Sequence, residues 1–139
     1  MQISKHIKTS EIDCNCGCGF GTHEGDLSQE IINAFERIRA RCSESLGIDT
    51  AIIINSGCRC GEPTIEHPEY TNYNAKIGST AKNHPRGEAL DPRCPLGMLY
   101  PTFYNICEEE IGDRGGVGKY TKQWFVHIDC RGKRARWGK

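Results

Sequence analysis

Asn83-His84-Pro85-Arg86-Gly87-Glu88-Ala89-Leu90-Asp91 and, further along, Trp124-Phe125-Val126-His127-Ile128-Asp129 are the two stretches on which the reading of this chain turns. In an extended segment alternate side chains point to opposite faces. Trp124, Val126, Ile128 and Cys130 then form one apolar row, while Gln123, His127 and Asp129 share the other, with Phe125 among them. The apolar row predicts a strand anchored in the core. His127 and Asp129 project together from its other face, where a metal ligand can be held rigidly. If Glu88 to Asp91 is also extended, Gly87, Ala89 and Asp91 share a face whose small residues leave room for an ion. His84 stands just ahead, in a turn containing Pro85 and Gly87. His84, Asp91 and His127 are two imidazoles and a carboxylate, a set that suits zinc and leaves one tetrahedral position for water. Residue types alone leave a second reading open, in which the two histidines are one surface and one core residue that never meet.

Length and composition predict one domain over residues 1–139, with residues 1–25 as a Cys-rich arm of little periodicity. Eighteen basic and eighteen acidic side chains cancel, which argues against a nucleic-acid or anionic-membrane partner. The one basic cluster, Arg131 to Arg136, reads as a solvated tail whose aromatic end, Trp137, packs back on the domain. No apolar run has the length of a membrane span, and Met1 to His6 is not followed by the hydrophobic run of a signal peptide. Synthesis in the cytoplasm without a leader is expected, and a monomer.

Nine cysteines are many for such a chain. Cytosolic thiols stay reduced, so a disulfide framework is the weaker expectation. Cys42, Cys107 and Cys130 fall on apolar faces and read as small core residues. Cys14, Cys16 and Cys18 differ: three thiols in a C-x-C-x-C run can supply a thiolate-rich second metal site, completed by Cys58, Cys60 or His23.

Between these features, Asp26 and Gln29 form a capping-box pattern ahead of an apolar stripe at helical spacing, Leu27, Ile31, Ala34, Phe35, Ile38, Cys42 and Leu46, stopped by Gly47. Ala51 to Asn55 predicts a strand buried on both faces. Gly61 to Lys82 predicts a long loop walling a cleft, and Tyr70 and Tyr73 are open to contact with a ligand there. A second helix is expected from about Pro101 to Ile111 with Phe103, Ile106, Cys107 and Ile111 inward. Gly115 to Tyr120 and Gln123 to Cys130 should form a hairpin through Thr121-Lys122. Helices and strands without regular βαβ alternation predict an α+β domain with a small antiparallel sheet flanked by helices.

The pattern H-x-x-G-x-A-x-D from His84 to Asp91, then F-V-H-x-D from Phe125 to Asp129 and Arg134-Ala135-Arg136-Trp137 near the end, resembles the zinc peptidases of the D-alanyl-D-alanine carboxypeptidase type, which share a fold with the hedgehog signalling domain. Asn55 to Cys60 is similar to the S-G-x-R segment of that family. Asn74 to Ser79 is similar to its N-x-x-x-G-G loop, with Ser79 in place of the second glycine. Gly116 to Tyr120 and Arg134 to Trp137 resemble the phage-type and small bacterial members, so the likeness covers most of the chain.

The resemblance implies a hedgehog/DD-peptidase-like fold and one catalytic zinc ion held by His84, Asp91 and His127. It implies hydrolysis of peptidoglycan stem peptides at a D-alanyl bond or at the L-alanyl to D-glutamyl bond, with access to the wall through a holin or a phage particle. Arg59 would hold a substrate carboxylate or polarise the scissile carbonyl. Asp129 is the candidate general base and Tyr120, or Lys119, a candidate oxyanion donor. The larger family members carry their acid three residues before the last zinc histidine, where this chain has Trp124. That leaves open a second role for Asp129 as a group orienting a ligand, and Glu88 is a further carboxylate on the opposite face from Asp91. The competing reading is a zinc-containing binding module of the same fold, since hedgehog-like domains keep the ligand set without an established peptidase role.

Overall fold

The computed structural model describes residues 1–139 as an α+β chain built from six short strands and three helices. In order these are β1 (Gln2–Ser4), β2 (Ile7–Lys8), α1 (Gln29–Leu46), α2 (Tyr73–Lys76), β3 (Ala89–Leu90), α3 (Tyr100–Ile111), β4 (Gly116–Tyr120), β5 (Phe125–Asp129) and β6 (Ala135–Gly138). The apolar stripe of α1 is buried from Ile31 through Cys42 and packs on α3, whose Phe103, Ile106, Cys107 and Ile111 point inward as the spacing predicts. The α1 cap is Ser28 rather than Asp26: its hydroxyl accepts from the Glu30 amide. Asp26 instead accepts from the amides of Gly21 and His23, so the shorter hydroxyl caps the helix while the carboxylate shapes the preceding turn.

β1 and β2 pair with each other, and the remaining strands form one sheet in the order β3-β5-β4-β6. The sheet is mixed rather than purely antiparallel, because β6 runs parallel to β4. The basic stretch expected to be a solvated tail supplies that strand. Arg134 bonds to Glu108 and Asp113, and Arg136 to Glu108 and to the carbonyls of Gly112 and Gly115, so both cations are pinned to the end of α3. Leu90, Val117, Val126 and Ile128 point from the sheet into the core, where α3 packs on β4 and β5. Trp124 falls outside the expected row. It has φ 65° in the turn, is 46% exposed and lies beside Tyr100.

Ala51 to Asn55 does not form a strand buried on both faces. Ile52 and Ile54 are buried, but Ile53 is 57% exposed. The segment bonds through its backbone to Asp91 and Arg93, and Pro92 between them has no N–H with which to extend the ladder. The Cys-rich arm is part of the core, since Ile7, Ile12, Cys14 and Phe20 join the same buried cluster as Phe35 and Phe103. No helix is long and apolar enough to cross a membrane.

Phe35 is fully buried in this core, whereas Ile53 is mostly outside it. Denaturant unfolding is expected to show Phe35→Ala destabilised by about 3–5 kcal/mol and Ile53→Ala changed by no more than about 0.5 kcal/mol. Comparable losses at the two positions would contradict the one-sided burial of the Ile52–Ile54 segment.

Candidate metal centre

Strand register brings the expected ligands together. β3 pairs antiparallel with β5, Ala89 opposite Asp129 and Leu90 opposite Ile128, so Asp91 at the end of β3 comes to lie beside His127 on the same face. On the other side of β5, His127 pairs with Gly118 of β4, which pairs in turn with Trp137 of β6. Asp91, His127, Gly118 and Trp137 therefore form one row across four strands. A Cβ at residue 118 would meet the indole at 2.4 Å, so glycine is required there for Trp137 to lean across β4 onto the His127 ring, 5.0 Å between centroids. His84 enters from the turn before β3. Ligand atoms of His84, Asp91 and His127 all lie within 4.8 Å of one another, and all three residues are buried.

The hydrogen bonds on the outer edges of the rings decide what faces inward. His84 Nδ1 lies 2.7 Å from the Gly57 carbonyl oxygen, which can only accept, so Nδ1 carries the hydrogen and Nε2 presents a lone pair. That buried Nε2 has no hydrogen-bond partner and sits 3.3 Å from Asp91 Oδ1. His127 Nε2 lies 2.8 Å from Asp129 Oδ2, which leaves Nδ1 directed at Asp91 Oδ1, 3.1 Å away. Two nitrogen lone pairs and a carboxylate oxygen then converge on one point. A tetrahedral zinc with bonds near 2.0–2.2 Å separates its ligand atoms by about 3.4 Å, close to these spacings. The donor set fits a zinc ion.

Asp129 does not fit the expectation of a general base. Its side chain is 0% exposed. Oδ1 accepts from the amides of Gly116 and Arg131 and from Arg131 Nε, and Oδ2 from His127 Nε2 and Arg131 Nη2. No lone pair is left to face a water in the cleft, and the carboxylate meets the outer nitrogen of His127 rather than the inner one. Its contacts make it the group that orients His127. Strand periodicity predicts the shared face correctly but is silent about which ring nitrogen a neighbour reaches. Glu88 lies away from the cleft, as alternation predicts.

The site opens into a cleft of about 1080 Å³ lined by Arg59, Lys82, Arg86, Tyr120, Arg131 and Lys133, among others, with Asp91 as its one acidic residue. Arg59 is 12% exposed, has its Nη1 4.0 Å from Asp91 Oδ2, and has a buried Nε without a partner. Burial lowers the pKa of its guanidinium, partly offset by the Asp91 carboxylate. The Tyr120 hydroxyl accepts from Trp137 Nε1 at 3.1 Å, which leaves its own hydrogen free to be donated. Lys119 points to the other face, with its ammonium over the Tyr104 ring, and is not at the site. Residues 78–82 of the long loop form one wall, while Tyr70 packs against Phe20 and His67 instead of lining the cleft. Lys82, Arg86 and Lys133 carry no motif, and only the fold collects them.

A second group of metal-competent side chains lies outside the cleft. The sulfurs of Cys14, Cys16, Cys18 and Cys60 are all within 4.8 Å of one another and can hold a metal ion. Of the three candidates for the fourth position, Cys60 is the one that joins. Cys58 is buried apart, its thiol pushed up to about 12 by burial, and the His23 side chain is exposed beside Asp26. Burial acts to raise the Cys16 thiol, but hydrogen bonds from Thr71, Cys18 and Cys14 outweigh it and bring it to about 6. No family model, no curated protein and no solved structure matches this chain.

Burial acts to lower the His127 imidazole, but its bonds to Asp129 and Asp91 outweigh this and raise its pKa. The His127 bond, joined by His84 at Asp91 and by Arg131 and the Gly116 amide at Asp129, outweighs burial and holds both carboxyls well below the usual range. A proton on His127 stabilises the metal-free fold fully below the unfolded imidazole pKa of about 6.5, and that contribution is lost as pH rises through the higher folded value. Zinc competes for the same nitrogen, so its stabilisation grows over that range. The Tm difference between zinc-saturated and chelator-treated protein is expected to widen from about pH 6 upward, and to widen less in His127→Ala. An equal pH dependence in the two proteins would remove His127 from the site.

Proposed function

We propose that this chain is a zinc-dependent peptidase acting on the peptides of bacterial peptidoglycan. The supporting observation is the convergence of His84 Nε2, Asp91 Oδ1 and His127 Nδ1 on one point beside a cationic cleft. The likeness of the H-x-x-G-x-A-x-D and F-V-H-x-D motifs to the D-alanyl-D-alanine carboxypeptidase type supplies the substrate class. Wall peptides carry free carboxylates, and a cleft with several cations against one ligand carboxylate favours such a substrate.

A zinc ion held there would polarise the scissile carbonyl and bring the pKa of a bound water to about 7, supplying a nucleophile near neutral pH. The protein's own groups position and stabilise. Arg59 lines the cleft with its guanidinium partly exposed there, and it can donate to a substrate carboxylate or to the carbonyl oxygen as it gains charge. Tyr120, which also lines the cleft, offers a second donor through its hydroxyl. Asp129, neutralised by Arg131, keeps the His127 ring in the orientation that points Nδ1 inward. Gly57 does the same for His84 through its carbonyl.

A second reading, a zinc-containing binding module of the same fold, is favoured by one observation: no carboxylate other than Asp91 lines the cleft to act as a proton acceptor. Digestion of purified peptidoglycan followed by mass spectrometry separates the two. The peptidase reading expects new peptide fragments from the wild type, none from His84→Ala, and kcat/KM lowered about 10²- to 10³-fold in Arg59→Ala. Asp129→Ala should bind zinc about 10- to 100-fold more weakly and regain activity in excess zinc, as befits a positioning residue. Wall binding without any new fragment would decide for the binding module, and an Asp129→Ala protein inactive at full zinc occupancy would return the base to that residue.

A further inference from the structure

We infer that Cys14, Cys16, Cys18 and Cys60 bind a second, structural zinc ion that fastens the N-terminal arm to the loop presenting Arg59 to the cleft. The first observation is how the arm is bent. In an extended chain, at about 3.3 Å per residue, Cys14 and Cys18 would stand roughly 13 Å apart. Here Gly17, at φ 80°, turns the backbone through the left-handed region that other residues avoid. The turn is closed by bonds from the Gly17 amide to the Cys14 carbonyl, 3.1 Å, and from the Cys14 amide to the Phe20 carbonyl, 2.8 Å. Three alternate thiols thereby share one point instead of one side of a strand.

The second observation is the spacing of the sulfurs. Tetrahedral zinc with Zn–S bonds near 2.3 Å separates its sulfurs by about 3.8 Å. Cys16 and Cys60 are 3.7 Å apart, and Cys14 and Cys16 3.4 Å. Third, backbone amides are aimed at the sulfurs. The Cys60 amide donates to Cys14 Sγ at 3.4 Å, and the amides of Thr71 and Tyr73 donate to Cys60 Sγ at 3.4 and 3.5 Å. Such donors suit an anionic thiolate ligand better than a neutral thiol. Four thiolates fill a tetrahedron and leave no position for water, so the site is structural and not hydrolytic.

Its location gives it a task. Cys60 directly follows Arg59, and the Cys60 carbonyl accepts from the Asn74 amide, which ties the same point to the long loop. The Cys58 amide in turn bonds to the Ile12 carbonyl of the arm. The arm, the Arg59 segment and the loop that walls the cleft therefore meet at this cluster. None of the four cysteines lines the cleft. The inference does not rest on the peptidase reading, because its test reads metal, thiols and backbone exchange, not turnover.

The test is metal analysis of the full chain purified under reducing conditions, followed by cobalt substitution. Wild type should carry two zinc ions per chain, His84→Ala one, Cys60→Ser one and Cys58→Ser two. Cobalt-loaded wild type and His84→Ala should show the intense sulfur-to-cobalt charge-transfer bands of a tetrathiolate site, and Cys60→Ser should lose them. Hydrogen exchange at the amides of Cys58 to Gly61 should quicken in Cys60→Ser relative to the wild type. If Cys60→Ser does not fold, the cobalt spectrum of the wild type decides alone. Iron in place of zinc, a disulfide mapped among the four cysteines, absent thiolate bands in the wild type, or bands retained in Cys60→Ser would each overturn the inference.

Discussion

Two imidazole lone pairs and one carboxylate oxygen are pointed at a common position inside this protein, and the surrounding fold is arranged to keep them there. Such a convergence is unfavourable without a cation or a shared proton between the acceptors. The strand register supplies most of the alignment, by setting Asp91 and His127 side by side and by placing Gly118 where Trp137 can brace the ring. The outer hydrogen bonds supply the rest. A carbonyl holds one histidine and a buried, arginine-neutralised carboxylate holds the other, so each ring turns its lone pair inward.

Charge is distributed to the same end. The chain as a whole is neutral, yet its cleft gathers cations from the long loop, from the turn before β3 and from the segment leading into β6. Four arginines elsewhere serve the fold: Arg134 and Arg136 fasten β6 to α3, and Arg37 and Arg41 join α1 to the acidic end of α3. Lys82, Arg86 and Lys133, which form no ion pair, line the cleft, where an anionic ligand would meet them. Exposed ion pairs of the first kind add little stability individually, but they fix where the elements lie.

Much of this was legible in the amino-acid order, and the misses share a cause. The stripes of α1 and α3 and the alternation of β5 are local periodicities, and local patterns survive folding when a core covers one face. The Ile52–Ile54 run also reads correctly as extended. How much of it is covered depends on distant residues, and Pro92 ends its pairing. β6 was hidden because Arg134 and Arg136 look like solvent-facing charge until Glu108 and Asp113 are brought opposite them. Asp129 lies on the expected face, but only the packing of Gly116 and Arg131 around it separates orienting a ligand from accepting a proton. Cys58 and Cys60 are equivalent in a C-x-C step, and only the folded backbone determines that the Cys60 sulfur joins those of Cys14, Cys16 and Cys18.

The proposed centre names not only the residues that would hold zinc but the atoms through which they would bind it, and nitrogen-15 long-range correlation spectra of the zinc-loaded protein read those atoms directly. The structure predicts His84 bound through Nε2 with its hydrogen on Nδ1, and His127 bound through Nδ1 with its hydrogen on Nε2. Either ring unchanged by zinc, or bound through the opposite nitrogen, would contradict the proposed centre.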